Sequence, residues 1–106
     1  MQLITAIIQP FMLDRLTRRL RKEKVPGYTV TQVSGSWHEM EENPQPTMAR
    51  IKVEVAVNDE QVDKICELIC ATVSTLQEGD GILMVTPINK VVSLRTGERG
   101  PRALRD

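Results

Sequence analysis

The sequence predicts an α+β domain in which two helices lie on one face of an antiparallel sheet, and three observations predict it. Residues 2–9 and 49–57 are short runs rich in β-branched and aliphatic side chains, which is strand character. Residues 12–24 and 58–75 instead space their apolar side chains at helical intervals. Proline and glycine mark the boundaries, at Pro10, at Pro26-Gly27 and at Gly79-Asp80-Gly81. A chain of 106 residues fits one domain, 1–106, with one core. Its aromatic residues are Phe11, Tyr28 and Trp37, so Val, Ile, Leu and Met have to build that core.

The first strand, QLITAIIQ, stops at Pro10, which has no N–H to continue a ladder. In the first helix Leu13, Leu16 and Leu20 form the apolar stripe, while Arg15, Arg18, Arg19, Arg21, Lys22 and Lys24 fill the remaining positions. Residues 29–37 (TVTQVSGSW) are extended, with a register change near Gly35. Residues 38–48 (HEMEENPQPTM) form a loop, because Pro44 and Pro46 deny both a helix and a paired strand, and a loop of that length points to function. Residues 49–57 (ARIKVEVAV) alternate, with Ile51, Val53, Val55 and Val57 on a core face and Arg50, Lys52 and Glu54 on a wet one.

Asn58 is placed to cap the second helix, with Gln61 three residues on, and Val62, Ile65, Cys66, Ile69, Val73 and Leu76 trace its stripe. After Gly79-Asp80-Gly81, residues 82–88 and 91–94 supply one or two last strands around Pro87, followed by a polar tail, 96–106. The order β-α-β-β-α-β is the ferredoxin-like arrangement.

Fourteen basic and fourteen acidic side chains give zero formal net charge, which does not suit a nucleic-acid binder. The basic run of the first helix is expected to be a solvated face, since no aromatic residue interleaves it. No apolar run approaches the roughly 20 residues of a membrane span, and the start carries no basic leader, so a cytoplasmic protein without direct membrane insertion is expected. Cys66 and Cys70 are expected to be small buried apolar side chains, with redox sensing or soft-metal binding as the alternative. His38 with Glu39, Glu41 and Glu42 is a thin set for a metal. One histidine without a matched nucleophile and orienting acid gives no triad, so a binding protein is expected rather than an enzyme. Trp37 is expected to cover an apolar edge.

Five blocks carry a resemblance in their order and separation: AIIQPFMLD, GYTVTQVSG, IKVEVAV, GDG and LRTGE. Together they resemble the PII signal-transduction family over nearly the whole chain. The resemblance implies a homotrimer whose sheets face inward, with an adenine-nucleotide site in each cleft between neighbouring subunits. Such a protein signals to a membrane transporter or metabolic enzyme through ligand-dependent ordering of loop and tail. By position, Ile7 and Thr29 match residues near the adenine, Gly35 the cleft edge, and Glu54 and Ala56 the ribose wall. Gly79, Asp80 and Gly81 match the loop that cradles phosphates, where glycine lets main-chain N–H groups approach an anion. Arg95 matches an arginine that reaches the phosphates.

The departures shape the expectation further. Ile82 and Ser93 stand where the family has a lysine and a second arginine, so ADP or AMP is expected over ATP, unless Arg99 or Arg102 replaces the missing charge. Trp37, His38 and Glu39 replace a glycine, an arginine and a glutamine that arrange magnesium and 2-oxoglutarate, and the loop is about eight residues shorter than the family's. Tyr28 precedes the loop, so the tyrosine that some members modify is missing. Short-loop relatives associated with inorganic carbon make bicarbonate the expected second ligand. A metal-binding regulator of an efflux system and an RNA-binding ferredoxin-like module are the competing classes.

Overall fold

The computed structural model describes residues 1–36 and 47–105, residue 105 by its backbone alone. Trp37, His38, Glu39, Glu41, Glu42 and most of the expected 38–48 loop lie outside the described residues. Four strands, β1 (Gln2–Ile8), β2 (Thr29–Gly35), β3 (Met48–Val57) and β4 (Gly81–Pro87), alternate with α1 (Leu13–Lys22) and α2 (Val62–Val73) in the predicted order. The sheet order is β2-β3-β1-β4, every neighbouring pair antiparallel. This is the ferredoxin-like α+β fold.

The period-two pattern of β1 and β3 decides which face is covered. Ile4, Ala6 and Ile8 join Ile51, Val53, Val55 and Val57 on one face, where Leu16 and Leu20 of α1 and Ile65 and Ile69 of α2 close the core. Each fully buried aliphatic side chain contributes roughly 1.5 to 3 kcal/mol. The opposite face, with Leu3, Thr5 and Ile7 on β1 and Ile82 and Met84 on β4, is the one that α1 and α2 leave uncovered.

Short 3-10 turns introduce both helices. Pro10 opens the first, Pro10–Met12, with its fixed φ suited to a helix start. Asp59–Gln61 is the second, where Gln61 Oε1 accepts from the Asn58 amide at 3.2 Å and the Gln61 amide donates to the Asn58 carbonyl at 2.9 Å. The Asn58 boundary was readable from those two residues.

Several expectations change. The second helix ends at Val73, so Leu76 is not on its stripe but 92% exposed in a left-handed conformation. Residues 91–94 do not form a strand: a single bridge joins Val92 to Arg99, and Ser93 and Glu98 close a turn through a 2.8 Å main-chain bond. The tail is structured over Gly100–Arg105 as a third 3-10 turn that buries Ala103. Met48, assigned to the loop, opens β3. Cys70 is exposed and Cys66 half-buried, because α2 turns its Ile65, Leu68 and Ile69 face to the core and leaves the cysteines on its flank. Burial first, then the neighbouring Cys70 and Asp63, push the Cys66 thiol up, which favours its protonated form. Among the described residues no helix is long and apolar enough to cross a membrane.

Candidate functional site

The glycine loop is built by what surrounds it. After Val73 the chain leaves α2, and Asp80 gathers the loop beneath it: its two oxygens accept from the Thr75 amide at 2.7 Å and the Thr75 hydroxyl at 2.5 Å. The amides of Leu76 and Gln77 add to these bonds, and all of them hold the Asp80 carboxyl below its ordinary value of 3.8. Asp80 thus sets the loop's shape. A carboxylate with a depressed pKa stabilises the fold above the ordinary carboxylate range, and that contribution is lost as pH falls through the lowered value. Thr75→Val should therefore move the Asp80 midpoint upward in a carboxyl NMR titration, while an unchanged midpoint would contradict this role.

Gly79 and Gly81 are glycine for separate reasons. Gly79 has φ +86°, a region that disfavours side chains, and its carbonyl accepts from Gln9 Nε2 at 2.7 Å, tying the loop to the end of β1. Gly81 has φ +125°, and a Cβ there would fall 1.8 Å from the Ile7 carbonyl oxygen. Next to them lies a crevice of about 230 Å³ between the end of α2 and the β1–β4 pair, lined by Ile7, Ile69, Cys70, Val73, Asp80 and Gly81 among others.

Alternation in β3 assigned Arg50 to a wet face, yet only 6% of it is exposed. Its Nη1 donates to the Ala49 carbonyl at 2.8 Å, and its Nη2 lies 3.5 Å from where a Gly79 Cβ would be. A guanidinium is thereby packed against the glycine loop, at the end of the sheet where Ile8 opposes both Ile51 and Gly81. Sequence reasoning missed it. The signal available was its place at the start of β3, level with the strand end that carries the loop. Gly35, opposite Met48, lies at the same end on β2.

The remaining expected residues gather elsewhere. Thr29 pairs with Glu54 across the sheet, and both line a second crevice of about 430 Å³ with Leu3, Gly27, Tyr28 and Ala56. Ala103 and Leu104 of the last 3-10 turn complete its wall. Glu54 is half-buried and 3.9 Å from Lys52 Nζ. Ala56 opposes Leu3 whereas Gly81 opposes Ile8, five steps of β1 apart, or about 16 Å at a rise of roughly 3.3 Å per residue. Arg95 is exposed in the 93–98 turn, beyond the end of β4 remote from the glycines. Arg99 makes the bridge to Val92, and Arg102 reaches Glu98 at 4.0 Å. Ser93 is buried and accepts from the Thr96 amide, a turn-forming role. Ile82 opposes Ile7 and is nearly half exposed. Among the described residues no three His, Cys, Asp or Glu side chains converge on a metal position.

One chain thus gathers these residues into two separate clusters: Ile7, Gly79, Asp80, Gly81 and Arg50 in one, Thr29, Glu54 and Ala56 in the other. The family model described as nitrogen regulatory protein P-II matches residues 1–98. The chain belongs to the P-II family. It is 31% identical to a nitrogen regulatory protein P-II of Nostoc punctiforme and 36% identical to one of Rhizobium etli, in each case over 112 aligned positions covering 98% of this chain and all of the relative. Nitrogen regulatory protein GlnK of Escherichia coli K12 is 30% identical over the same coverage. The 112 positions exceed the 106 residues of this chain, so these P-II relatives contain residues without a counterpart here. P-II proteins are signalling proteins that form trimers and regulate enzymes or transporters, and the role of this P-II chain is regulatory.

Proposed function

We propose that this P-II chain is a non-catalytic adenine-nucleotide sensor in which the ligand fills a cleft between neighbouring chains of a homotrimer. The observation that carries this is the division of the site. The glycine loop and Arg50 lie at one end of the sheet, while Thr29, Glu54 and Ala56 line a crevice about 10 to 16 Å away along β1. A second copy that sets its Thr29 crevice against this chain's glycine loop joins the halves. The sheet face left uncovered by α1 and α2 supports the assembly: it presents Ile82 and Met84, 46% and 44% exposed, an apolar surface suited to burial against like surfaces.

In the joined cleft, the purine meets Ile7, Thr29 and Ala56, and the phosphates meet the backbone of Gly79 and Gly81 with Arg50 behind it. Arg95 adds a guanidinium from the tail, with Arg99 and Arg102 nearby in sequence. With Ile82 and Ser93 in place of two cations, the charge available suits ADP or AMP better than ATP. Bicarbonate, a small oxyanion, is the proposed second ligand, held by the same guanidinium groups. Ligand state then changes the loop and tail that meet a transporter or enzyme.

Calorimetry with ATP, ADP and AMP, each with and without bicarbonate, tests this. ADP or AMP should bind more tightly than ATP, and Arg95→Ala should weaken ADP about tenfold while leaving the trimer intact. Absence of heat with every adenine nucleotide, in protein shown to be folded, would remove the sensor reading; unchanged affinity in Arg95→Ala would remove that residue's role.

A further inference from the structure

The outward face of α1 is unlike the rest of the surface. Arg15, Arg18, Arg19, Arg21, Lys22 and Lys24 are all exposed within ten residues, and the acids among them are Asp14 and Glu23. Glu23 is engaged by Arg19 at 3.9 Å and by Lys64 of α2 at 3.2 Å. Arg15, Arg18, Arg21, Lys22 and Lys24 make no ion pair among the described residues. Arg18 donates only to its own helix, at the Asp14 carbonyl.

The spacing places like charges one turn apart. Arg15 faces Arg18 and Arg19, and Arg18 faces Arg21 and Lys22, pairs that oppose helix formation. The helix is held by Leu16 and Leu20 despite its outer face. At 100° per residue, Phe11, Arg15, Arg18 and Lys22 fall within about 40° of one line, opposite the buried leucines. Phe11 is 71% exposed in the turn that opens α1. The sequence suggested a basic run with no aromatic among it; the structure sets an aromatic at the head of that run, the line spanning about 16 Å.

We infer that this face docks on an anionic lipid surface, with Phe11 in the interfacial layer and Arg15, Arg18 and Lys22 over acidic headgroups. Charge complementarity supports a membrane rather than a folded protein partner. The line of Arg15, Arg18 and Lys22 holds no acid and is headed by a single apolar wedge, and no crevice described above takes in a residue of α1. A plane of negative charge needs no groove, and an exposed aromatic beside basic residues is the composition of an interfacial helix. The inference stands apart from the nucleotide cleft, none of whose residues belongs to α1.

Co-sedimentation of the whole protein with vesicles tests it, using phosphatidylcholine alone and phosphatidylcholine with about 40% phosphatidylglycerol. Binding is expected only to the anionic vesicles, at about 20 mM salt and much less at about 300 mM. Replacing Arg15, Arg18 and Lys22 together by Gln should abolish it without lowering the melting temperature, because like-charge pairs are removed. Phe11→Ala should weaken it at least threefold. Failure to sediment with anionic vesicles would overturn the inference, as would affinity that Phe11→Ala leaves unchanged. Binding to soluble polyglutamate without binding to vesicles would overturn it in favour of an acidic polypeptide.

Discussion

Gly81→Ala is expected to lower the unfolding free energy by roughly 3 kcal/mol or more, because two costs coincide. The backbone at φ +125° is one that side chains rarely adopt, and the added Cβ would sit 1.8 Å from the Ile7 carbonyl oxygen. That oxygen belongs to the central strand β1, which cannot retreat without disturbing its pairing to β3 and β4. Gly79→Ala is the internal control. Its Cβ would meet Gln9 Nε2 at 3.3 Å, the free end of a side chain, so mainly the left-handed backbone is penalised, by about 1 kcal/mol. Urea unfolding of both variants measures the difference. Equal and small losses would mean that β1 and β4 do not approach as closely as described.

Arg50→Ala is expected to weaken ADP binding by a factor between about ten and a hundred, as charge-assisted bonds contribute roughly 1.5 to 3 kcal/mol each. The effect should exceed that of Arg95→Ala, because Arg50 is 6% exposed and a shielded guanidinium acts on an anion with less solvent screening. Arg50→Lys should recover only part of the affinity, since an ammonium does not reproduce the planar fork. Arg50 also holds the Ala49 carbonyl, so each variant needs an unfolding curve beside its titration. Wild-type affinity in a folded Arg50→Ala protein would place the phosphates elsewhere.

How far the sequence carried depended on the kind of pattern involved. The alternation of Ile51, Val53, Val55 and Val57 and the leucine spacing of α1 are periodic, and periodic burial is what a fold needs: the four β3 positions, Leu16 and Leu20 are buried, and Leu13 is half-buried against them. The glycines were legible as a loop, but their separate reasons were not, because the approach of the Ile7 carbonyl to Gly81 depends on a partner 74 positions away in the chain. Arg50 was misread for a related reason. Alternation says which face a residue takes and nothing of what covers that face, and here the loop from α2 folds over it. Leu76 was overburied by extending a helical stripe past the point where Ser74 leaves the helix, and Cys70 by reading its residue type rather than its place on the flank of α2. Ala103 gave no signal in a polar tail, since a single small residue has no period to read.

The central claim is that each nucleotide site draws on two chains, and subunit complementation tests it most directly. Arg95, beyond the end of β4 remote from the glycines of its own chain, is assigned with the Thr29 crevice to the tail half. Arg50→Ala therefore damages the glycine-loop half and Arg95→Ala the tail half, and trimers of either variant alone should bind ADP weakly. Co-refolded in equal amounts, about one cleft in four should combine an intact glycine-loop half with an intact tail half and titrate with the affinity of the unmodified protein. A mixture that never binds better than its parents, though shown by mass spectrometry to contain both chains in one assembly, would contradict a shared site.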